Sequence, residues 1–364
     1  MKYLKYDNNI HEKNAMSNSD FSQYLTDIIN AGSLSLMLSI GHRTKIFDVM
    51  AQLPPSTVQE IASKSNLNER YVKEWLGAMV TGRIIDYDSA SNKFLLSKEK
   101  AQYLTRKNGI YNFAASMQWI PVLSQVEDEI VNCFNNGGGV PYSSYNRFHQ
   151  VMAEESYQTV VIALIDHILP LVPNLVDKLK NGINALDIGC GKGRAVNVMA
   201  NHFKSSTFYG YDLSKESIDG AKREAQMMGN SNAFFKVSDI LGLDFNEKYG
   251  LITAFDAIHD QPDPYSALKS IYNSLDDKGI FLMQDILAST PLKDNVGHPL
   301  GPFLYTISCL HCISVSLSQN GAGLGAMWGK EKAVEMLNSV GFRNIDVNKL
   351  PHDFQNYYYI AYKN

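Results

Sequence analysis

Ala185-Leu-Asp-Ile-Gly-Cys-Gly-Lys-Gly-Arg-Ala195 is the stretch from which the fold can be read. Asn184 to Ile188 reads as a short buried strand, apolar in its run apart from Asp187. Gly189, Gly191 and Gly193 follow at alternate positions, and Arg194 to Phe203 reads as a helix. A strand feeding a glycine turn and then a helix brings backbone N–H groups close to a nucleotide-like ligand. A dinucleotide site prefers G-x-G-x-x-G, which would need glycine at 194, where Arg194 stands. Thr207 to Asp212 alternates as a second strand and ends in a carboxylate. An acid at that tip accepts hydrogen bonds from both hydroxyls of a ribose, as in dinucleotide folds. The plain alternative is a glycine-rich turn beside a solvated aspartate.

Composition bounds what the rest can be. The chain has 364 residues, 45% hydrophobic and 19% charged, enough for two ordinary domains. A net charge of −4 gives no global pull toward nucleic acid or an anionic membrane. Residues 1–19 are polar, read as a disordered tail, and lack the apolar core of a signal peptide. No uninterrupted run of 18 apolar residues occurs, so no membrane span is expected. Cys133, Cys190, Cys309 and Cys312 are too few and scattered for a disulfide framework. The expectation is a soluble, cytoplasmic protein.

Residues 20–134 read as a mostly helical domain. Asp20 to Ser39 carries helical periodicity, and Ala31 to Ile40 is apolar on almost every side. A helix apolar all round needs cover on every side, which near an N-terminus points to a partner subunit and a homodimer. Ser56-Thr-Val-Gln59 opens a short helix with a capping box. Asn68 caps a second helix that Gly82 closes. Arg83 to Asp88 and Lys93 to Ser97 form a hairpin, completing a winged-helix pattern. DNA binding would use Asn68 to Gly82, but Glu69 and Glu74 offset Arg70 and Lys73 there, and no basic face forms. A dimerisation and substrate-site module is the preferred reading. Residues 135–180, opening with Asn135-Asn-Gly-Gly-Gly-Val-Pro-Tyr142, read as a linker loop and two bridging helices.

From residue 181 to 364, strands and helices alternate, which implies a mostly parallel sheet covered on both faces. Asp-x-Gly-x-Gly-x-Gly resembles motif I of the class I S-adenosylmethionine (SAM) methyltransferases. The resemblance implies an α/β, Rossmann-like, seven-stranded domain preceded by the winged-helix domain. It also implies SAM as cofactor, held by Asp187, Gly189, Gly191, Gly193, Asp212 and Leu213. Asp239 and Ile240, at the end of strand Ala233 to Ser238, would meet the adenine, with Phe255 and Asp256 completing the site.

The fourth strand, Gly250 to Phe255, delivers Phe255-Asp-Ala-Ile-His-Asp-Gln-Pro-Asp263 to the carboxyl edge of the sheet. His-Asp at this place resembles the winged-helix small-molecule O-methyltransferases, whose histidine is the general base. His259 would then take the proton of an acceptor hydroxyl. A phenol titrates near ~10 and attacks a methyl group poorly when neutral, and an imidazole near ~6.5 is a suitable proton acceptor. Asp260 or Asp263 could orient the imidazole or serve as turn residues before Pro262 and Pro264. Asp256, Asp260 and Asp285 raise magnesium as an alternative, but no Asp-Asn pair follows Asp285, and no metal is expected.

Residues 286–329 interrupt the alternation and read as a substrate cap. Tyr305, Cys309, Cys312 and Ser316 share one stripe of a helix. Cys309 and Cys312 form a single C-x-x-C, better read as a buried helix face than as zinc ligands. His298 and His311 would line the acceptor pocket or rest in the core. Gly321-Ala-Gly-Leu-Gly-Ala-Met-Trp-Gly329 suggests backbone packed against ligand, or a hinged lid, with Met327 and Trp328 facing the acceptor.

Residues 40–362 as a whole resemble one family of two-domain bacterial-type methyltransferases, through Asn68-Glu-Arg-Tyr-Val, Gly137-Gly-Gly-Val-Pro-Tyr, Phe255-Asp-Ala-Ile-His-Asp-Gln and Gly323-Leu-Gly-Ala-Met-Trp-Gly. The expected activity is methyl transfer to a small molecule, at a hydroxyl with His259 as base. Methylation of nitrogen, sulfur or carbon without an essential base is the alternative with the same cofactor. A SAM-sensing winged-helix regulator is the alternative of another class.

Overall fold

The structure, a computed structural model, describes residues 18–243 and 247–363. The expected tail lies outside the described residues, except for Asn18 and Ser19. The chain divides into two compact units, one ending at Ser124 and one beginning at Gln125. The stretch 135–180, read from sequence as a linker, therefore belongs to the second unit.

In the first unit, helix Asn18–Arg43 leads into the short helices Ile46–Met50 and Val58–Ser65, then Glu69–Thr81. Strands β1 (Asp86–Asp88) and β2 (Lys93–Leu95) pair antiparallel as the wing. Phe47, Ile61, Leu76 and Met79 are fully buried. Trp75 packs edge-on to Phe47 with ring centres 5.2 Å apart, and its indole N–H donates to Met37 O at 2.9 Å. The capping box sits one residue later than the spacing predicts. Thr57 is the cap and Glu60 its partner, the carboxylate accepting from Thr57 N at 2.8 Å. Ser56 cannot cap because its backbone is committed to the wing, through Ser56 N to Phe94 O and Phe94 N to Ser56 O. Asn68 caps the next helix as expected, accepting from Arg70 N and Tyr71 N. On that helix Arg70 is paired with Glu74.

Helix Asn18–Arg43 departs from expectation within this chain. Leu38 and Ser39 are buried, but Leu36 is 43% exposed and Ile40 46%. Phe21, Leu25, Ile28 and Ile29 are exposed as well. The helix therefore presents apolar side chains that its own unit leaves uncovered.

The second unit is built on seven further strands: β3 (Asn184–Ile188), β4 (Thr207–Asp212), β5 (Ala233–Val237), β6 (Tyr249–Phe255), β7 (Leu275–Ile286), β8 (Arg343–Leu350) and β9 (Asp353–Tyr362). They form one sheet in the order β5-β4-β3-β6-β7-β9-β8. β3 to β7 pair parallel, and β9 runs antiparallel between β7 and β8. The near-continuous apolar runs of β3, β6 and β7 follow from cover on both faces. One face packs Val196, Met199, Phe203 and Ile218 against Leu251 and Leu282. The other packs Leu268, Ile271, Leu337 and Phe342 against Ile252 and Phe281.

Strand order reverses at β3, whose neighbours are β4 on one side and β6 on the other. The crevice beyond their carboxyl ends is where an open α/β sheet binds its ligand. The residues between β7 and β8 include a helical run from Gly301 to Ser318. By length and composition alone that run could cross a membrane. Here it packs into the unit, burying Leu304, Cys312 and Val315.

Candidate active site

A cavity of about 510 Å³ opens at that crevice. Its floor is the turn after β3. Gly189, Gly191 and Gly193 all have left-handed φ, of +67°, +52° and +68°. Positive φ alone favours glycine, and two of the three are also sterically closed. A Cβ at Gly189 would lie 2.6 Å from the Ala257 Cβ, and one at Gly193 would lie 2.5 Å from the Phe235 ring. At Gly191 a Cβ would meet nothing within 4 Å, so this glycine faces open space. Gly189 N and Cys190 N donate to Tyr211 O, at 2.9 and 3.1 Å, tying the turn to β4.

Asp212, at the tip of β4, anchors both sides of the cradle. Its Oδ2 accepts from Gly191 N at 2.9 Å and its Oδ1 from Ser214 N at 2.8 Å. Each carboxylate oxygen keeps a further lone pair for hydroxyl groups in the cavity. Asp187 lies beneath, its Oδ1 accepting from Thr253 Oγ1 at 2.7 Å. Burial raises its carboxyl to about 7, with the nearby Asp212 charge adding to the rise.

Leu213, Ile240, Phe255 and Asp256 line the cavity as expected, and Lys192 and Arg194 add two cations to its wall. Asp256 has φ of +51°, unusual outside glycine, and its N–H donates to Gln284 O at 3.1 Å. Burial, reinforced by the charge of Asp285, raises its carboxyl well above the usual range. Asp239 does not line the cavity. Its side chain accepts from Leu241 N at 2.9 Å and caps the short turn Ile240–Gly242, and its neighbours Ser238 and Ile240 form the wall instead.

His259 is 4% exposed and lies just behind the wall. Its Nδ1 is 2.9 Å from Asp285 Oδ1, and its Nε2 is 3.2 Å from Asp260 Oδ1. Asp285 Oδ1 also accepts from Trp328 Nε1 at 2.9 Å and Ile286 N at 2.8 Å. With those donors on the same oxygen, Nδ1 carries a proton and donates to it. Burial alone would lower the imidazole, but the carboxylates of Asp285 and Asp260 outweigh it and hold it well above its ordinary value. For Asp260, burial would raise the carboxyl, and the His259 charge overrides it and holds the group below the usual carboxylate range. Asp260 is the member of the chain Asp285–His259–Asp260 that reaches the cavity. Asp263 plays no part in it: its side chain caps helix Pro264–Ser274 through Ser266 N.

The four residues expected in the acceptor pocket stand elsewhere. Trp328 is buried in the sheet core on Asp285. Met327 packs against Ala288 and Leu304. His298 accepts from Leu300 N at 3.1 Å in its own turn. His311 is buried against the Phe148 ring, stacked at 3.9 Å, and burial lowers it to about 4. The glycines around Trp328 serve protein packing rather than ligand: a Cβ at Gly329 would fall 2.1 Å from Thr290 N, and one at Gly321 would fall 2.5 Å from Pro262 Cα.

The rest of the cavity wall comes from residues 141–161 and 260–262, including Tyr142, Phe148, His149, Met152 and Gln261. Tyr142 stands on a strap that begins with Gly137-Gly-Gly. Val140 N donates to Ser314 Oγ at 2.7 Å, and Tyr145 OH donates to Leu310 O at 2.5 Å. A Cβ at Gly139 would lie 2.0 Å from Ser314 O, so only glycine lets the strap approach this closely. The glycine triplet before an aromatic was the available signal for this wall.

Residues 179–320 match a domain family described as a methyltransferase domain. Together with the glycine cradle and its acid, this marks the second unit as carrying a class I, SAM-dependent methyltransferase domain. More particularly, residues 32–106 match the Rv2258c-like winged helix-turn-helix domain, so the chain joins that domain to the catalytic one. Over 113 residues it is 26% identical to a (S)-coclaurine N-methyltransferase of Papaver somniferum, which covers 31% of this chain and 32% of that enzyme. The chain thus spans about a third of the length of that curated relative. A putative O-methyltransferase structure from Nostoc punctiforme PCC 73102 superposes with a TM-score of 0.72 at 18% identity, covering 96% of this chain and 100% of that one. Human N-acetylserotonin methyltransferase in complex with SAM gives a TM-score of 0.68 at 15% identity, with 97% and 99% covered. At these identities the likeness is one of fold.

The cradle fits the cofactor on its own chemistry. Gly191 leaves open space for a close ligand, Asp212 offers lone pairs suited to ribose hydroxyls, and Lys192 and Arg194 suit a carboxylate.

Proposed function

We propose that this enzyme methylates a hydroxyl of a small, largely apolar molecule, with His259 receiving the proton on its Nε2 when the imidazole is in its neutral form. The observation that carries the reading is the buried chain from Asp285 through His259 to Asp260 on the cavity wall. SAM, when bound, supplies an electrophilic methyl group. The protein's part is to hold the acceptor oxygen in line with that group and give its proton a destination. Asp285 holds the Nδ1 proton in place and aims Nε2 toward Asp260 and the acceptor side. Tyr142, Phe148 and Met152 offer apolar and aromatic wall there. Asp187, Asp212, Leu213, Ile240, Phe255 and Asp256 hold the cofactor with the three glycines.

Nitrogen is the second reading, because the matching poppy enzyme is named for N-methylation. An amine that is already neutral needs no base, so His259→Ala would then cost little. We further propose a homodimer through the exposed apolar face of helix Asn18–Arg43, and a cytoplasmic setting. The Arg70–Glu74 pair favours this use of the winged domain over binding DNA or sensing SAM as a regulator.

The test begins with calorimetric binding of SAM and S-adenosylhomocysteine, with NAD as control, to wild type and Asp212→Ala. Micromolar SAM binding lost in the variant supports the cofactor site. A panel of phenols, alcohols, amines and thiols against wild type and His259→Ala then separates the hydroxyl reading from the nitrogen one. A preference for NAD would overturn both.

A further inference from the structure

We infer that Asp260 is a latch on the base. It shuts His259 Nε2 off from the cavity while the imidazole is charged, and moves onto the Tyr142 hydroxyl when the imidazole is neutral. The inference rests on the reading of His259 as the base. Asp260 and Tyr142 line the cavity and His259 does not. An acceptor hydroxyl therefore reaches Nε2 only after the Asp260 carboxylate has left it. Asp260 Oδ1 stands 3.2 Å from Nε2, and that oxygen is buried without an aligned hydrogen bond. Charge, rather than a directed bond, holds it there. Its other oxygen, Oδ2, accepts from Tyr142 OH at 3.4 Å, a long contact that leaves room to tighten.

Asp260 is the acid beside the imidazole that is free to move. Asp285, on β7, holds Nδ1 at 2.9 Å and is itself fixed by Trp328 Nε1 and Ile286 N. A carboxylate on each ring nitrogen requires a proton on both, because a carboxylate only accepts. The resting ring is thus an imidazolium clamped between two acids, and those acids hold it well above its ordinary value. The other titratable groups that face this cluster are neutral near pH 7. Burial raises the Asp256 carboxyl well above the usual range and the Cys312 thiol to about 12. It likewise raises the Tyr142 phenol and lowers His311 to about 4. His311 Nδ1 lies 3.8 Å from Asp260 Oδ2, too far to hold it.

The proton can be followed through a turnover. Loss of the Nε2 proton to solvent through the cavity turns a lone pair toward Asp260 Oδ1 and removes the attraction, so the carboxylate shifts toward Tyr142. The acceptor hydroxyl takes the vacated place, and its proton passes to Nε2 as its oxygen attacks the methyl group. The imidazolium so formed draws Asp260 back. Tyr142 is then a positioning residue that acts through Asp260.

Full-length protein labelled at histidine Cε1, with S-adenosylhomocysteine added, is titrated by NMR, the His259 signal being assigned by its absence in His259→Gln. In wild type it should titrate above the ordinary imidazole value of about 6.5. Asp260→Asn removes the second charge, and the titration should fall by about one to three pH units. Tyr142→Phe removes the carboxylate's other partner, keeps Asp260 on Nε2 and should move the titration upward. A merely structural role would not give opposite shifts, and SAM binding by each variant reports that it is folded. The pH at which turnover of a phenol rises should follow both shifts. A wild-type titration at or below the ordinary value, one unchanged in Asp260→Asn, one that falls or stands still in Tyr142→Phe, or a rate profile that ignores these shifts would overturn the latch. The NMR needs no acceptor. The expected titrations without turnover of any hydroxyl compound would therefore leave the movement of Asp260 standing and defeat the hydroxyl reading instead.

Discussion

Asp285 Oδ1 accepts from His259 Nδ1 and from Trp328 Nε1, each at 2.9 Å. The segment between β7 and β8 therefore reaches the proposed base through a tryptophan that orients an acid, which in turn orients a histidine. Asp285→Asn should lower turnover of a hydroxyl acceptor on the order of 10²- to 10⁴-fold, the usual weight of a positioned base. SAM affinity should be largely unchanged, because Asp285 does not line the cavity. Paired measurements of turnover and calorimetric binding check this. A matching loss of both would mean that Asp285 is structural.

Trp328→Phe keeps the ring in the core and removes one donor from a buried carboxylate. Hydrogen bonds to charged groups contribute about 1.5–3 kcal/mol, so stability should fall by that amount. Urea unfolding of wild type and variant measures it. A loss below about 0.5 kcal/mol would show that Asp285 does not depend on the indole.

Asp187 titrates at about 7 in the folded protein, against ~3.9 in an unfolded chain. Between those values the folded state holds a proton that the unfolded state has lost. Stability should fall as pH rises from about 4 to about 7 and then level off. Asp187→Asn keeps an acceptor for Thr253 and removes the ionisation, so its stability should fall less over that window, by a few kcal/mol at most. Parallel urea midpoints between pH 4.5 and 8 would contradict this.

Gly139→Ala places a methyl 2.0 Å from Ser314 O and 2.5 Å from Ser318 N, both backbone. The strap must move outward, carrying Tyr142 with it. A stability loss of about 1–3 kcal/mol is expected, as for other overpacked sites. Weaker binding on the acceptor side should accompany it, with little change in SAM affinity. Thermal unfolding and calorimetry read the two effects separately.

If the exposed face of helix Asn18–Arg43 is a self-association surface, Leu25→Asp combined with Ile29→Asp should convert a dimer to a monomer. Sedimentation equilibrium at micromolar concentration decides it. A monomeric wild type would remove the dimer proposal.

Much of this architecture can be read from local pattern. β3 and β4 have the bounds that their apolar runs and flanking turns indicate, because parallel strands covered on both faces leave little choice of register. The cradle is equally legible, since three positive-φ positions in five residues demand glycine. The capping box is misplaced by one residue because Ser56 and Thr57 are chemically alike. Only pairing with Phe94, distant in sequence, decides between them. The segment after β7 is read least well. Glycines that admit a ligand and glycines that admit a neighbouring backbone look the same in sequence, and here Gly321, Gly325 and Gly329 all admit protein. Asp285 attracts attention as a possible magnesium ligand, and its bond to His259 depends on two strand ends meeting side by side.

The placement of β9 between β7 and β8 bears on how the protein is made. During synthesis, β7 emerges well before Asp353–Tyr362, the strand that covers its free edge. Until translation passes Tyr362, the backbone of Ile280 to Ile286 stands open on a strand rich in buried apolar residues, the kind of edge that recruits foreign strands. The nascent domain is therefore most exposed to aggregation late in translation. A premature stop anywhere before β9 should yield insoluble chains, even though the whole cofactor cradle precedes it.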